Sequence, residues 1–176
     1  MQQAASSTEP RFRVSYFALV AALIGLDRAT KTAVAESMPL HDSKPIIGGF
    51  FDLVHTRNTG IAFSLFADAG PFVKDLLIPL FSLAAVALVV CLLWKAGPLG
   101  RRTQLSLVLI LSGAAGNLYD RFMYGYVVDF LDFYIGSYHW PAFNVADSCI
   151  TIGAGLLLLD SFVSGAREHR QEPESA

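Results

Sequence analysis

The sequence predicts an all-α integral membrane protein, with four transmembrane helices and a small β-rich element in an outer loop. Three observations support this class. Of 176 residues, 53% are hydrophobic and 16% charged, and the mean hydropathy is +0.47, too apolar for an ordinary soluble domain of this size. Apolar runs recur at the roughly 20-residue length that a helix needs to cross ~30 Å of hydrocarbon. Basic residues collect at alternate ends of those runs. The chain reads as a single membrane domain over residues 1–176, with spans at about 14–34, 74–94, 105–122 and 143–163 and an outer loop at 36–71 that is partly β.

Residues 1–10 and the tail after Arg167 read as short solvated ends. The first apolar run, Val14 to Leu26, reaches spanning length only by continuing through Asp27, Arg28 and Lys31 to Val34, so it ends in a polar collar. A cleaved secretory signal is the rival reading, with Arg11 and Arg13 ahead of the apolar core and Ala33-Val34-Ala35 as a small-residue cleavage site. The collar charges crowd that segment and further spans follow it. The second run, Leu76 to Trp94, carries no charge; Pro79 lies near its start, where a lost backbone hydrogen bond matters least. The third and fourth, Leu105 to Phe122 and Phe143 to Val163, work if their polar ends lie at the interface.

Between the first two spans, Ile46 to His55 is rich in β-branched and aromatic residues with glycine breaks, a pattern of short strands. Open strand edges are not stable in lipid, so these strands should pack on helix ends or lie at the headgroup level. Asn58-Thr59-Gly60 is a turn signal that serves equally as a plain surface turn or as a device bringing the Asn58 amide to a cleft.

Arg11, Arg13, Lys95, Arg101, Arg102, Arg167 and Arg170 fall on one side of the membrane, which puts both termini in the cytoplasm. Asp27, Asp75, Asp120, Asp129 and Asp147 then lie toward the outer face, where a polar site should form. A formal net charge of -2 and the lack of a long basic block give no reason to expect nucleic acid as a partner. Cys91 and Cys149 sit in apolar runs and read as packing residues. The four histidines are scattered without ligand spacing, so no metal and no cofactor is expected. No base is positioned beside Ser64 or Ser148, which disfavours a serine–lysine pair.

The stretch from Gly116 to Ile150 concentrates the remaining chemistry, because ionisable residues at the ends of membrane runs are costly unless paired or used. Asn117 and Asp120, and likewise Asn144 and Asp147, are three apart and share a helix face. Pro141 disfavours helix upstream of Asn144, which by itself can be explained as a helix cap. Capping does not explain Asp147, inside the first turns of an apolar helix. Asp120 next to Arg121 has the plainer reading of a structural ion pair tying the third span to a loop. Gly125 and Val127-Val128 suggest a reversal and an extended piece that returns Asp129 toward Asp147, while Asp132 reads as a solvated loop acid. Two carboxyls shielded together from water cannot both ionise cheaply, so such a pair holds one proton. That is what metal-free hydrolysis of an amide requires: one acid to take a proton from water and one to polarise the carbonyl. Spacing alone does not separate this from an ion pathway or a structural pair.

Asp27 with Thr30-Lys31, Arg57-Asn58-Thr59-Gly60-Ile61-Ala62-Phe63, Gly116-Asn117 with Asp120-Arg121, Val128-Asp129-Phe130 and Phe143-Asn144 with Ala146-Asp147 together resemble the bacterial lipoprotein signal peptidases, or signal peptidase II. The resemblance covers about Val14 to Val163, with Ile61 a mild departure where the family often has alanine. It implies an aspartyl endopeptidase of the inner membrane, its site toward the periplasm. Its substrates would be diacylglyceryl-modified prolipoproteins, cut just before the lipidated cysteine. By motif position it implies Asp129 and Asp147 as the catalytic dyad. Asn58, Asn117, Arg121 and Asn144 become substrate-positioning residues, Asp27 and Lys31 supporting polar contacts, and Asp120 structural. Membrane lipids, and the cyclic peptide globomycin as an inhibitor in the cleft, are the further implied partners. A proton-coupled transporter, which should carry polar residues at mid-span, and a non-enzymatic scaffold, whose acids would tolerate amide replacement, are the competing classes.

Overall fold

The computed structural model describes residues 11–60, 68–95 and 100–171, with side chains from 15 to 163 within those ranges. The motif residues Ile61, Ala62 and Phe63, the residue Ser64, both chain ends, and the side chains of Arg11, Arg13, Arg167 and Arg170 lie outside the described residues and side chains. Four long helices dominate: α1 (Arg11–Ser37), α2 (Ile78–Lys95), α3 (Arg101–Tyr124) and α4 (Val145–Gln171). Strands β1 (Ser43–Ile47) and β2 (Phe51–Asn58) follow α1, whereas β3 (Val127–Ile135) and β4 (Tyr138–His139) join α3 to α4.

Two helical stretches, Phe72–Lys95 and Val145–Val163, are long and apolar enough to cross a membrane by length and composition. The other two expected spans correspond to α1 and α3, which carry the charged groups of the polar collar and the third span's end. Arg28 stays partly exposed, but three of those groups are turned inward: Asp27, Lys31 and Asp120 are each 1% exposed. Their charges depress helix hydropathy without facing the surroundings. The second span begins with a π-helical segment, Phe72–Leu77, in which the Ile78 N–H reaches back to the Val73 carbonyl. This wider winding precedes Pro79, which has no N–H to give and whose ring crowds the preceding turn.

The β element is larger than the outer loop 36–71 alone supplies. One antiparallel sheet in the order β1-β2-β3-β4 draws two strands from each connecting segment. Asp132, expected as a solvated loop acid, is on β3, where its carboxylate meets His139 Nδ1 at 2.9 Å. Gly125 makes the reversal into β3 possible. It caps α3 at φ 74°, with its N–H on the Arg121 carbonyl at 3.0 Å, a conformation in the left-handed region that a Cβ disfavours.

Two features register the sheet against the helices. Between the pairs Leu53↔Leu131 and Thr56↔Asp129, β2 has Val54 and His55 opposite the single residue Phe130. This bulge adds a residue on one side only and re-aims the rest of the strand. Past the bulge all four of Val127 to Phe130 are buried; Val127 and Asp129 line a cleft, whereas Phe130 packs against Val34 and Met38 of α1 and the turn after it. The second feature is Phe143, whose backbone bonds Leu131 in both directions, N–H to carbonyl at 3.1 and 2.9 Å. The expected fourth span from residue 143 therefore starts later: Phe143 is held by the sheet, Asn144 is the cap and helix begins at Val145. Helices α3 and α4 meet closely at Gly113, where an added Cβ would lie 2.1 Å from the Ala146 carbonyl oxygen.

Candidate active site

The cleft encloses about 700 Å³ and is lined at its polar end by Asn58, Asn117, Arg121, Asp129 and Asp147. Asp129 comes from β3, Asp147 from the first turn of α4, Asn117 and Arg121 from α3, and Asn58 from the end of β2. Each carboxyl is held by side-chain amides. Asn144 Nδ2 donates to Asp129 Oδ1 at 2.7 Å and Asn58 Nδ2 to Asp129 Oδ2 at 3.1 Å. Asn117 Nδ2 donates to Asp147 Oδ1 at 2.7 Å.

The direction of each amide is fixed by a second contact that only its oxygen can make. Asn144 Oδ1 accepts the Asp147 backbone N–H at 2.9 Å, a helix cap to the third residue of α4. Asn58 Oδ1 accepts the Gly60 N–H at 2.9 Å, closing the turn that the Asn-Thr-Gly sequence signals. Asn117 Oδ1 accepts from the Lys31 ammonium at 2.8 Å. Donor-only partners on the oxygens leave the nitrogens pointing at the carboxyls.

Asp129 is 3% exposed, and its pKa is pushed from 3.8 up to about 7. Burial is the main cause and the neighbouring Asp147 charge the next, opposed by the Asn58 and Asn144 hydrogen bonds and by Lys31. Arg121 spans the site: Nη2 donates to the Gly60 carbonyl at 2.8 Å and Nη1 to the Asn117 carbonyl at 3.3 Å. Its buried Nε has no acceptor among the described residues.

Asp27, Lys31, Asp120 and Asn144 do not line the cleft but lie beneath it, Asn144 at 0% exposure. Asp120 does not pair with Arg121, its neighbour in sequence. Its Oδ1 takes Arg28 Nη1, and its Oδ2 takes Lys31 Nζ at 2.6 Å. Successive helix residues point about 100° apart, so the α1-facing Asp120 and the cleft-facing Arg121 have different partners. Lys31 Nζ also lies 2.7 Å from Asp27 Oδ2, although that oxygen is poorly aligned for a hydrogen bond, so Asp27 balances charge there rather than taking a directed proton. Its other oxygen accepts the Ala146 backbone N–H at 2.9 Å.

Sequence reasoning passed over Arg28, which holds Asp120 and stacks on Tyr119 and Tyr124. It passed over the Gly60 carbonyl that anchors Arg121 and over Trp140 in the cleft wall. Arg28 had a signal, its place beside Asp27 in the collar; the other two depend on the fold.

Fold and site together define a membrane enzyme. Two solved structures described as bacterial membrane enzymes obtained by the in meso method, at 2.3 and 1.9 Å, superpose with TM-scores of 0.77 and 0.72. The first has 27% identity and covers 94% of this chain and 96% of its own; the second has 29%, covering 85% and 93%. The profile of the family described as Signal peptidase (SPase) II matches residues 19–163. A lipoprotein signal peptidase of Desulforapulum autotrophicum is 52% identical, with 74% of this chain and 81% of that protein covered. One of Cupriavidus taiwanensis is 46% identical, with 90% and 86% covered. The chain belongs to the signal peptidase II family, a family of peptidases.

Proposed function

We propose that the protein is an aspartyl endopeptidase that removes signal peptides from diacylglyceryl-modified prolipoproteins, cutting just before the lipidated cysteine, with Asp129 and Asp147 as its dyad. The observation that carries this reading is that both acids line one cleft, with both oxygens of Asp129 and Oδ1 of Asp147 held by three amides of fixed direction. The charges around them favour a single shared proton. Asp27, Asp120, Asp129 and Asp147 are four acids, and Arg28, Lys31 and Arg121 are three cations, so one proton makes the cluster neutral.

The proton sits on Asp129, which titrates near 7, and the negative charge on Asp147, beside Arg121 and the Asn117 amide. Asp147 takes a proton from a water in the cleft as that water attacks the scissile carbonyl. Asp129 hydrogen-bonds the carbonyl oxygen and gives up its proton as negative charge develops there. The proton gained by Asp147 then passes to the leaving amine as the C–N bond breaks, and a hydroxyl of the tetrahedral intermediate returns a proton to Asp129 as the product carboxyl forms. Arg121 lines the cleft and holds a carbonyl of the extended peptide there, and Asn58, Asn117 and Asn144 position substrate through the carboxyls they orient. Asp27, Lys31 and Asp120 support them from below.

In this reading all four helices span the inner membrane, α1 and α3 with their charges sequestered, and both termini are cytoplasmic. The sheet and the dyad lie at the periplasmic face. A substrate whose signal helix lies in the bilayer and whose acyl chains anchor the cut near the headgroups needs a dyad at that depth. Membrane lipids bound that site, and globomycin competes for the cleft. Purified protein in micelles, given a diacylglyceryl prolipoprotein, should release a signal peptide ending one residue before the lipidated cysteine, as mass spectrometry reads. A cut elsewhere, or equal cutting of the unlipidated precursor, would count against the reading.

A further inference from the structure

Among the described residues, helix α1 contributes no side chain to the cleft wall, yet it holds Asp147 twice. Asp27 accepts the N–H of Ala146, the residue before Asp147, at 2.9 Å. One turn further on, Lys31 donates to Asn117 Oδ1 at 2.8 Å, and Asn117 Nδ2 donates to Asp147 Oδ1 at 2.7 Å. An amide side chain fits such a place in either of two orientations, and the ammonium excludes one of them, because it has donors only. The excluded orientation would set the Asn117 oxygen against the Asp147 carboxylate.

We propose that Lys31 is a positioning residue for the reaction: its buried ammonium fixes which end of the Asn117 side chain faces Asp147, and thereby holds ready the carboxyl that accepts a proton from water. The inference rests on the dyad reading above and adds to it a residue that never meets substrate. At 1% exposure Lys31 has no route to the peptide. Its other neighbours, Asp120 Oδ2 at 2.6 Å and Asp27 Oδ2 at 2.7 Å, set two negative charges against the buried ammonium. The charges acting on Asp147 are Arg121 from α3, Asp129 from β3 and Lys31 from α1; Asp27 and Asp120 lie behind Lys31, with Arg28 on Asp120.

The test compares pH profiles of kcat and KM for the wild type, Lys31→Met and the charge-balanced pair Asp27→Asn/Lys31→Met, with Asp27→Asn alone as control. The pair keeps the Arg28–Asp120 contact and leaves an amide oxygen for the Ala146 N–H, so it carries the test where Lys31→Met fails to insert. The expected result is a loss in kcat of roughly ten- to a hundredfold with KM unchanged, the scale of a hydrogen bond to a charged group. The acid limb of the profile should move up by about one pH unit, because the ionised acid loses a donor. Adding Lys31→Met to Asn117→Leu should cost little more, as expected of residues acting in series. An unmoved acid limb, with activity lost only in proportion to folded protein, would overturn the proposal. Asp147→Asn run alongside separates the two failures: turnover by that variant sinks the dyad, whereas its inactivity beside an unmoved limb sinks the role of Lys31 alone.

Discussion

Asn144 and Asp129 are joined at 2.7 Å through Asn144 Nδ2, while the Asn144 oxygen takes the backbone N–H of Asp147 at 2.9 Å. One amide therefore caps α4 and fixes the two acidic residues relative to each other. Asn144→Ala should lose about 1 kcal/mol of stability from the cap and a further donor to Asp129, with kcat lowered roughly tenfold or more. Asn144→Asp keeps an acceptor for the cap but sets a third carboxyl beside Asp129, so it should hold more of the stability and less of the activity. Thermal unfolding and turnover measured on the same samples check both.

The raised pKa of Asp129 has consequences for pH. As pH rises through about 7 the dyad loses its shared proton, so kcat/KM should decline along an alkaline limb centred near that value. The folded state also holds more protons than the unfolded chain between about 4 and 7, so the stability contributed by Asp129 is complete below that window and is lost as pH rises across it. Asp129→Asn should flatten this slope. Unfolding temperatures across a pH series read the effect directly.

Asp120 and the dyad should respond differently to amide replacement. Asp120→Asn leaves Arg28 and Lys31 facing a neutral group, and Lys31 is 1% exposed. Breaking such a contact costs up to ~3–5 kcal/mol, so yield and melting temperature should fall. Turnover per folded molecule should fall far less than in Asp129→Asn.

Gly113 sets the distance between α3 and the start of α4. A Cβ there would lie 2.1 Å from the Ala146 oxygen, which forces backbone to move rather than a side chain to rotate. Gly113→Ala should cost about 1–3 kcal/mol and displace Asp147 along with Ala146, lowering kcat as well. Ser112→Ala, one residue away on the same helix, is the control for substitution in that turn.

Much of this site was legible where chemistry is local. An acid inside the first turn of an apolar helix marks Asp147, a cap after Pro141 marks Asn144, and Asn58-Thr59-Gly60 marks the turn that Asn58 closes. Asp129 was reachable through the Gly125 reversal. Its setting was not, because the bulge at Val54 and His55 depends on pairing between segments more than 70 residues apart, and the Phe143 bridge on the chain folding back onto Leu131. The same holds for Asp120: adjacency suggested Arg121, whereas helix geometry turns it toward Arg28 and Lys31, about 90 residues earlier. The extent of the sheet was missed because half of it comes from the segment between α3 and α4, where only Val127 and Val128 were read as extended.

Joint action of Asp129 and Asp147 on one water is the claim on which the proposed chemistry stands. Its most direct measurement is single-turnover cleavage of a diacylglyceryl prolipoprotein by Asp129→Asn and by Asp147→Asn, each matched to the wild type for membrane insertion and unfolding temperature. Either replacement alone should abolish cleavage while the protein remains folded. Cleavage at an undiminished rate by either variant would contradict joint action.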